Sequence, residues 1–174
     1  MLEINNLTKR EVEVKKLELI FNKFCSTLHL GKANVSLVFI GDKKSQELNF
    51  KYRKVNKATD VLSFPNPDFN KAADMFLGEI FINLREVSRI EKYQELIGEL
   101  NAYYNSKKFC YRKLILNPSR TDQNVETYLL LFIFIHGLLH LVNYNDETEK
   151  ERAIMIETGF NFLEKVFFNK QNMV

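Results

Sequence analysis

The chain has 174 residues, 45% of them hydrophobic and 27% charged, with a formal net charge of +3. That length suits one domain around one substantial core, and the composition excludes a disordered or fibrous chain. The charge is too small to argue for a polyanionic partner on its own, and no apolar run reaches the about 20 residues of a membrane-spanning helix.

The first ten residues carry charges where a leader peptide needs an apolar run. Residues 2–5 suit a short edge strand. Thr8 followed by Glu11 reads as a capping box. Leu17, Ile20, Phe21, Phe24 and Leu28 then recur at helical spacing, and Gly31 is placed to end that helix. Val35 to Ile40 is β-rich and stops at the turn signal Gly41-Asp42, from which a second helix runs to about Arg53. Residues 60–64 predict a short strand that Pro65 and Pro67 close. Leu77 to Asn83 alternates like a strand, and Asn83 with Glu86 opens a helix with Val87, Ile90, Ile97, Leu100 and Tyr104 as its apolar stripe. Residues 105–122 read as loop or insertion around Asn117-Pro118-Ser119. A buried helix is expected from about Asn124 to Val142, apolar nearly all round. A last amphipathic helix covers roughly 147–169, with Met155, Phe162, Val166 and Phe167 inward. The expected fold class is therefore α+β: a single domain over residues 1–174, with a small mixed sheet of about four strands packed with about five helices.

The buried helix holds two of the three histidines, in His136-Gly-Leu-Leu-His140-Leu-Val-Asn-Tyr-Asn-Asp146. Residues four apart on a helix share a face. Asn143 tolerates the left-handed conformation that ends helices, so the turn after it can return Asp146 to the same side. Two imidazoles and a carboxylate make a three-ligand metal site with a position open to water, the minimum for a metal-dependent hydrolase. The bland alternatives are core histidines satisfied by hydrogen bonds and an Asp146 that merely caps the last helix. Gly137 stands where a His-Glu-x-x-His peptidase carries its general base, which excludes that mechanism. A non-haem Fe(II) triad uses the same residue types.

Cys25 and Cys110 form no ligand-spaced pair and read as reduced thiols of a cytosolic protein. Residues 43–57 hold six basic side chains (Lys43, Lys44, Lys51, Arg53, Lys54, Lys57) against one acid, Glu47. Residues 106–113 hold four more, interleaved with Phe109 and Tyr111. Basic plus aromatic residues suit phosphates and stacked bases, although either stretch taken alone reads better as a solvated face.

The 136–146 segment resembles the signature His-Gly-x-Leu-His-Leu-x-Gly-Tyr-Asp-His of the YbeY family of ribosomal-RNA-maturation endoribonucleases. Thr59-Asp-Val-Leu-Ser-Phe-Pro65 is identical to a second signature of that family. Leu48-Asn-Phe-Lys-Tyr-Arg53 is similar to its Leu-Asn-x-x-Tyr-Arg, and Leu77-Gly-Glu-Ile80 to its Leu-Gly-Asp-Ile. Three positions depart: Asp146 stands for the third histidine ligand, Asn143 for the motif glycine and Asn145 for its aspartate. The stretch of about 92–124 also looks longer than the family usually has.

The resemblance implies a YbeY-like fold and a cytoplasmic, metal-dependent, single-strand-specific endoribonuclease. Its partner would be ribosomal RNA and the small ribosomal subunit, in rRNA maturation and ribosome quality control, and it would hydrolyse phosphodiesters with a metal-activated water. His136, His140 and Asp146 would hold zinc, with the carboxylate shifting preference toward Mn²⁺ or Mg²⁺. Arg53 matches the family's functional arginine, catalytic and substrate-binding, and Ser63 could donate a hydrogen bond to substrate. The other readings are a non-catalytic ribosome- or RNA-binding protein with a degenerate metal site, and a metallohydrolase of another phosphoester or of peptides. No oligomeric state is indicated.

Overall fold

The computed structural model describes residues 1–69, 75–96, 98 and 122–167. Strand β1 (Leu2–Asn6) leads into helix α1 (Val14–Thr27), strand β2 (Asn34–Ile40) and helix α2 (Asp42–Arg53). Strands β3 (Val61–Pro65) and β4 (Phe76–Asn83) follow, then a one-turn helix α3 (Leu84–Val87) and a 3-10 turn (Ile90–Tyr93). Helices α4 (Asp122–Leu141) and α5 (Glu149–Phe167) complete the described chain. This is the α+β mixed sheet that the pattern of strands and helices predicts.

The strand order is β1-β2-β4-β3, with β1, β2 and β4 parallel and β3 antiparallel to β4. The central β2 is apolar at nearly every position because helices or loops cover both its faces. The outer place of β3 explains how Pro65 ends a paired strand: its missing N–H falls on an edge. Gly78, paired with Pro65, has φ +140°, and a Cβ there would lie 2.2 Å from the Phe64 carbonyl oxygen. Only glycine lets β3 close onto β4 at this point.

The core lies between one face of the sheet and α1, α4 and α5. Val35, Leu37, Phe39, Ile80 and Ile82 meet Ile20, Phe24, Phe134, Leu138 and Leu163 there. Helix α4 packs directly on β3 and β4, as a helix apolar on all sides must. None of the described helices is long and apolar enough to cross a membrane.

Four local expectations need correction. Thr8 does not cap α1, which starts at Val14; the Thr8 hydroxyl instead donates to Asn6 Oδ1 and accepts from the Arg10 N–H. The first helix is closed by His29, not Gly31. His29 takes φ +53°, with Leu30 N–H donating to the Cys25 carbonyl and His29 N–H to that of Ser26. This is a Schellman ending with a histidine in the left-handed position. The helix expected from Asn83 breaks at Ser88–Arg89 into α3 and the 3-10 turn. Glu86, buried there, takes ion pairs from Arg89 and Lys92 on the far side of the break. The last helix begins two residues later than its acidic run suggests, at Glu149. Ile97, Leu100, Tyr104, residues 105–121 of the expected loop, the basic stretch 106–113 and the Phe167 side chain lie outside the described residues, and Asp122 already belongs to α4.

Candidate metal centre

Helix α4 buries Ile135, Leu138 and Leu139 completely or nearly so, and turns His136 and His140 toward an opening beside β3. It approaches the sheet closely because Gly137 has no side chain. A Cβ there would meet Ile80 Cγ2 at 3.0 Å and Ser63 Oγ at 3.2 Å. The sheet therefore occupies the space a helix glutamate would need.

The helix ends as Asn143 predicts. Asn143 takes φ +68°, with Tyr144 N–H donating to the Leu139 carbonyl and Asn143 N–H to that of His140. This second Schellman turn has two effects. It turns the Tyr144 carbonyl onto His140 Nδ1 at 3.0 Å. Nδ1 is then the N–H donor, and Nε2 presents its lone pair to the opening. It also swings Asp146 back beneath the histidines.

His136 Nε2 and His140 Nε2 are 3.2 Å apart. Asp146 Oδ2 lies 3.6 Å from the first and 3.8 Å from the second. Ligands about 2.0–2.1 Å from a tetrahedral zinc stand roughly 3.3 Å from one another, so the donor set and its spacing fit one cation. The capping alternative for Asp146 fails on a specific bond pattern. Thr148 Oγ1 accepts the Glu151 N–H at 3.2 Å, and Glu151 Oε2 accepts from Thr148 N–H and hydroxyl at 3.0 and 2.8 Å. That capping box starts α5 without Asp146.

Burial and the neighbouring His140 push the His136 pKa down to about 4, against the opposing pull of Asp146 and Asp60. The ring is thus neutral at pH 7, the form that ligates a metal. Asp60 was not singled out from sequence, although it sits inside the Thr59–Pro65 motif. Its carboxylate accepts from Tyr93 OH at 2.7 Å and from Val61 N–H at 2.9 Å. Burial and Asp60 hold the Tyr93 phenol well above its usual pKa, so it stays a donor.

A cleft of about 580 Å³ joins these residues to Tyr52, Arg53, Ser63 and Phe64. It runs along the outer edge of β3. Arg53 is exposed, and among the described residues it has no ion-pair partner. Two buried side chains hold the turn that presents it. Asn49 Nδ2 donates to the Lys57 carbonyl at 2.7 Å, and the Ser45 hydroxyl donates to the Thr59 carbonyl at 2.7 Å. Ser63 lines the same cleft; its Oγ is buried on the Gly137 side and has no hydrogen-bond partner among the described residues. The structure thus gathers His136, His140, Asp146, Arg53 and Ser63 around one cleft.

A two-imidazole, one-carboxylate centre with an open side, beside an arginine that has no ion-pair partner among the described residues, is the arrangement of a metal-dependent hydrolase. A family model described as Endoribonuclease YbeY matches residues 3–104 and 109–166. The chain belongs to that endoribonuclease family. Among similar proteins carrying that name, the one from Thermodesulfovibrio yellowstonii is 32% identical over 68% of this chain, a match spanning 57% of its own length. That of Ehrlichia chaffeensis is 32% identical over 78% of this chain and 68% of its own. That of Ehrlichia canis is 29% identical over 95% and 93%. The solution structure of TM1509 from Thermotoga maritima is similar with a TM-score of 0.50, at 25% identity over 95% of this chain and 89% of that one.

Proposed function

We propose that this chain is a metal-dependent, single-strand-specific endoribonuclease that cuts ribosomal RNA during its maturation, acting in the cytoplasm on the small ribosomal subunit. The observation that carries the reading is the convergence of His136, His140 and Asp146 in the cleft that Arg53 lines, in a chain of this family. In this reading residues 1–174 work as one domain, with the stretch 92–124 as an insertion.

His136 Nε2, His140 Nε2 and Asp146 Oδ2 would hold the ion, zinc first, with Mn²⁺ or Mg²⁺ favoured by the carboxylate more than three imidazoles would allow. When bound, the ion supplies Lewis-acid chemistry to a phosphodiester and its attacking water. The protein's own residues do the rest. The Tyr144 carbonyl fixes the His140 tautomer. Asp60, pinned by Tyr93 and the Val61 N–H, sets a negative charge at the cleft floor. Arg53 grips a phosphate of the strand through its planar fork. Ser63 belongs to the cleft wall, and its hydroxyl would reach substrate only after turning away from Gly137.

The experiment is cleavage of an unstructured RNA by full-length protein, with metal content measured and divalent ions returned after chelation. Activity that disappears on chelation and returns with one ion is expected. Full activity in His136→Ala and His140→Ala proteins would end this reading. RNA binding without stoichiometric metal would identify a non-catalytic RNA-binding protein instead.

A further inference from the structure

The cleft has a second wall that the metal centre does not use. Tyr52, at the end of α2, is 53% exposed, and its ring leans on Phe64 of β3 at 4.8 Å and 59°. Phe64 is in turn held edge-on by Phe81 of β4 at 5.7 Å and 79°. Both Tyr52 and Phe64 line the cleft that contains His136, His140 and Asp146. Phe64 projects from β3 opposite Ser63, which touches the histidine helix, so the ring pair sits on the other side of the edge strand.

An exposed tyrosine ring braced by a phenylalanine presents a held, open π-face on which another flat group can stack. The surroundings say what. Lys51, Arg53, Lys54 and Lys57 are all exposed at the end of α2 and in the turn after it, and Arg53 lines the cleft with both rings. Lys51 Nζ already lies 4.9 Å from the centre of the Tyr52 ring. A ligand suited to this wall is flat and apolar on its faces, with anionic groups at the Lys51 and Arg53 end; Glu79, paired across from Phe64, leaves the far end unfavourable to them. We infer that Tyr52 and Phe64 form a stacking subsite for an unpaired nucleobase of the bound RNA strand, which rests on the ribonuclease reading above.

The chemistry follows from the parts. The base covers the open Tyr52 face and displaces the Lys51 ammonium, which then meets the adjoining phosphate. Arg53, next in sequence, holds the strand's direction toward the metal centre. A base inside a duplex is already stacked on both sides and cannot enter. The subsite therefore supplies preference for single strands without reading sequence, since every base has a π-face.

The test uses full-length protein and a short unstructured RNA carrying 2-aminopurine at successive positions, alongside the same sequence fully paired. Binding is read by anisotropy, stacking by 2-aminopurine fluorescence, and probe integrity by gel. Wild-type protein should alter the fluorescence at one register. Tyr52→Ala should weaken single-strand binding about tenfold and abolish that change, by the worth of one base–aromatic stack. Tyr52→Trp should restore both, and duplex binding should stay as in wild type. Phe64→Leu, checked for folding by circular dichroism, should weaken single-strand binding several-fold; if it does not fold, the exposed Tyr52 decides. Wild-type affinity for the single strand in Tyr52→Ala overturns the subsite, as does equal loss on single strand and duplex. Cleaved probe with Tyr52-independent binding removes the subsite alone. Intact probe with Tyr52-dependent stacking removes the nuclease reading and leaves the subsite.

Discussion

His136 gives up its proton more readily than a free imidazole because it is buried on α4 beside a second histidine. Its pKa of about 4 lies below the roughly 6.5 of an unfolded histidine, so between those values the unfolded chain binds the extra proton. Metal-free protein should therefore lose stability as pH falls through this window, by roughly 2 kcal/mol between pH 7 and pH 5 for this residue alone. Thermal melts of chelated protein at both pH values check this. A His136→Gln protein should show a visibly flatter dependence, and an equal slope in both proteins would refute the assignment. Asp146 is the companion case. Thr148 already caps α5, so Asp146→Ala should leave the melting temperature of chelated protein within a few degrees while metal affinity falls at least tenfold. Asp146→His should bind zinc more tightly than the parent protein. A large melting loss in Asp146→Ala without added metal would return the residue to a structural role.

Helix α4 places its histidines only because it lies flat against β3 and β4 at Gly137. Gly137→Ala puts a methyl group 3.0 Å from Ile80 and 3.2 Å from Ser63 Oγ, inside ordinary contact distance. Both neighbours are packed side chains, so they must give by a few tenths of an ångström or the helix must move out by as much. A stability loss of about 1–3 kcal/mol is expected, with a disproportionate drop in metal affinity, measurable by denaturant titration and zinc competition. The same helix shows what could be read from the chain. Its apolar surface, the four-residue histidine spacing and the left-handed Asn143 are local properties, and each leaves its mark in sequence. The endings of α1 and α5 were less legible. Several residues near each terminus are chemically able to cap, as Thr8 and Gly31 are, and tertiary packing chooses among them. The break after α3 was hidden because the apolar stripe runs on across it at helical spacing, and the Glu86–Arg89 pair has the i,i+3 spacing of a continuous helix. Asp60 was overlooked because one aspartate just ahead of a strand carries no spacing signal; only folding brings Tyr93 to it.

Across the molecule, a net charge of +3 gives almost no long-range pull on RNA, so attraction must come from where the charges are placed. Lys51, Arg53, Lys54 and Lys57 crowd the end of α2 and the turn after it, beside the cleft along the edge of β3. A strand lying in that cleft would exchange condensed counterions for these side chains. Single-strand affinity should then fall linearly in log–log form with salt, each phosphate contact contributing a slope of about −0.7. Arg53→Gln should reduce the slope by about one such step and weaken binding at low salt more than at high salt. Lys23→Gln, on an exposed position of α1 that does not line the cleft, should leave the slope unchanged. Anisotropy titrations from about 50 to 200 mM salt resolve a difference of this size. Equal slopes for Arg53→Gln and the parent protein would mean that the strand avoids Arg53. The phosphate track would then have to leave the metal centre in another direction.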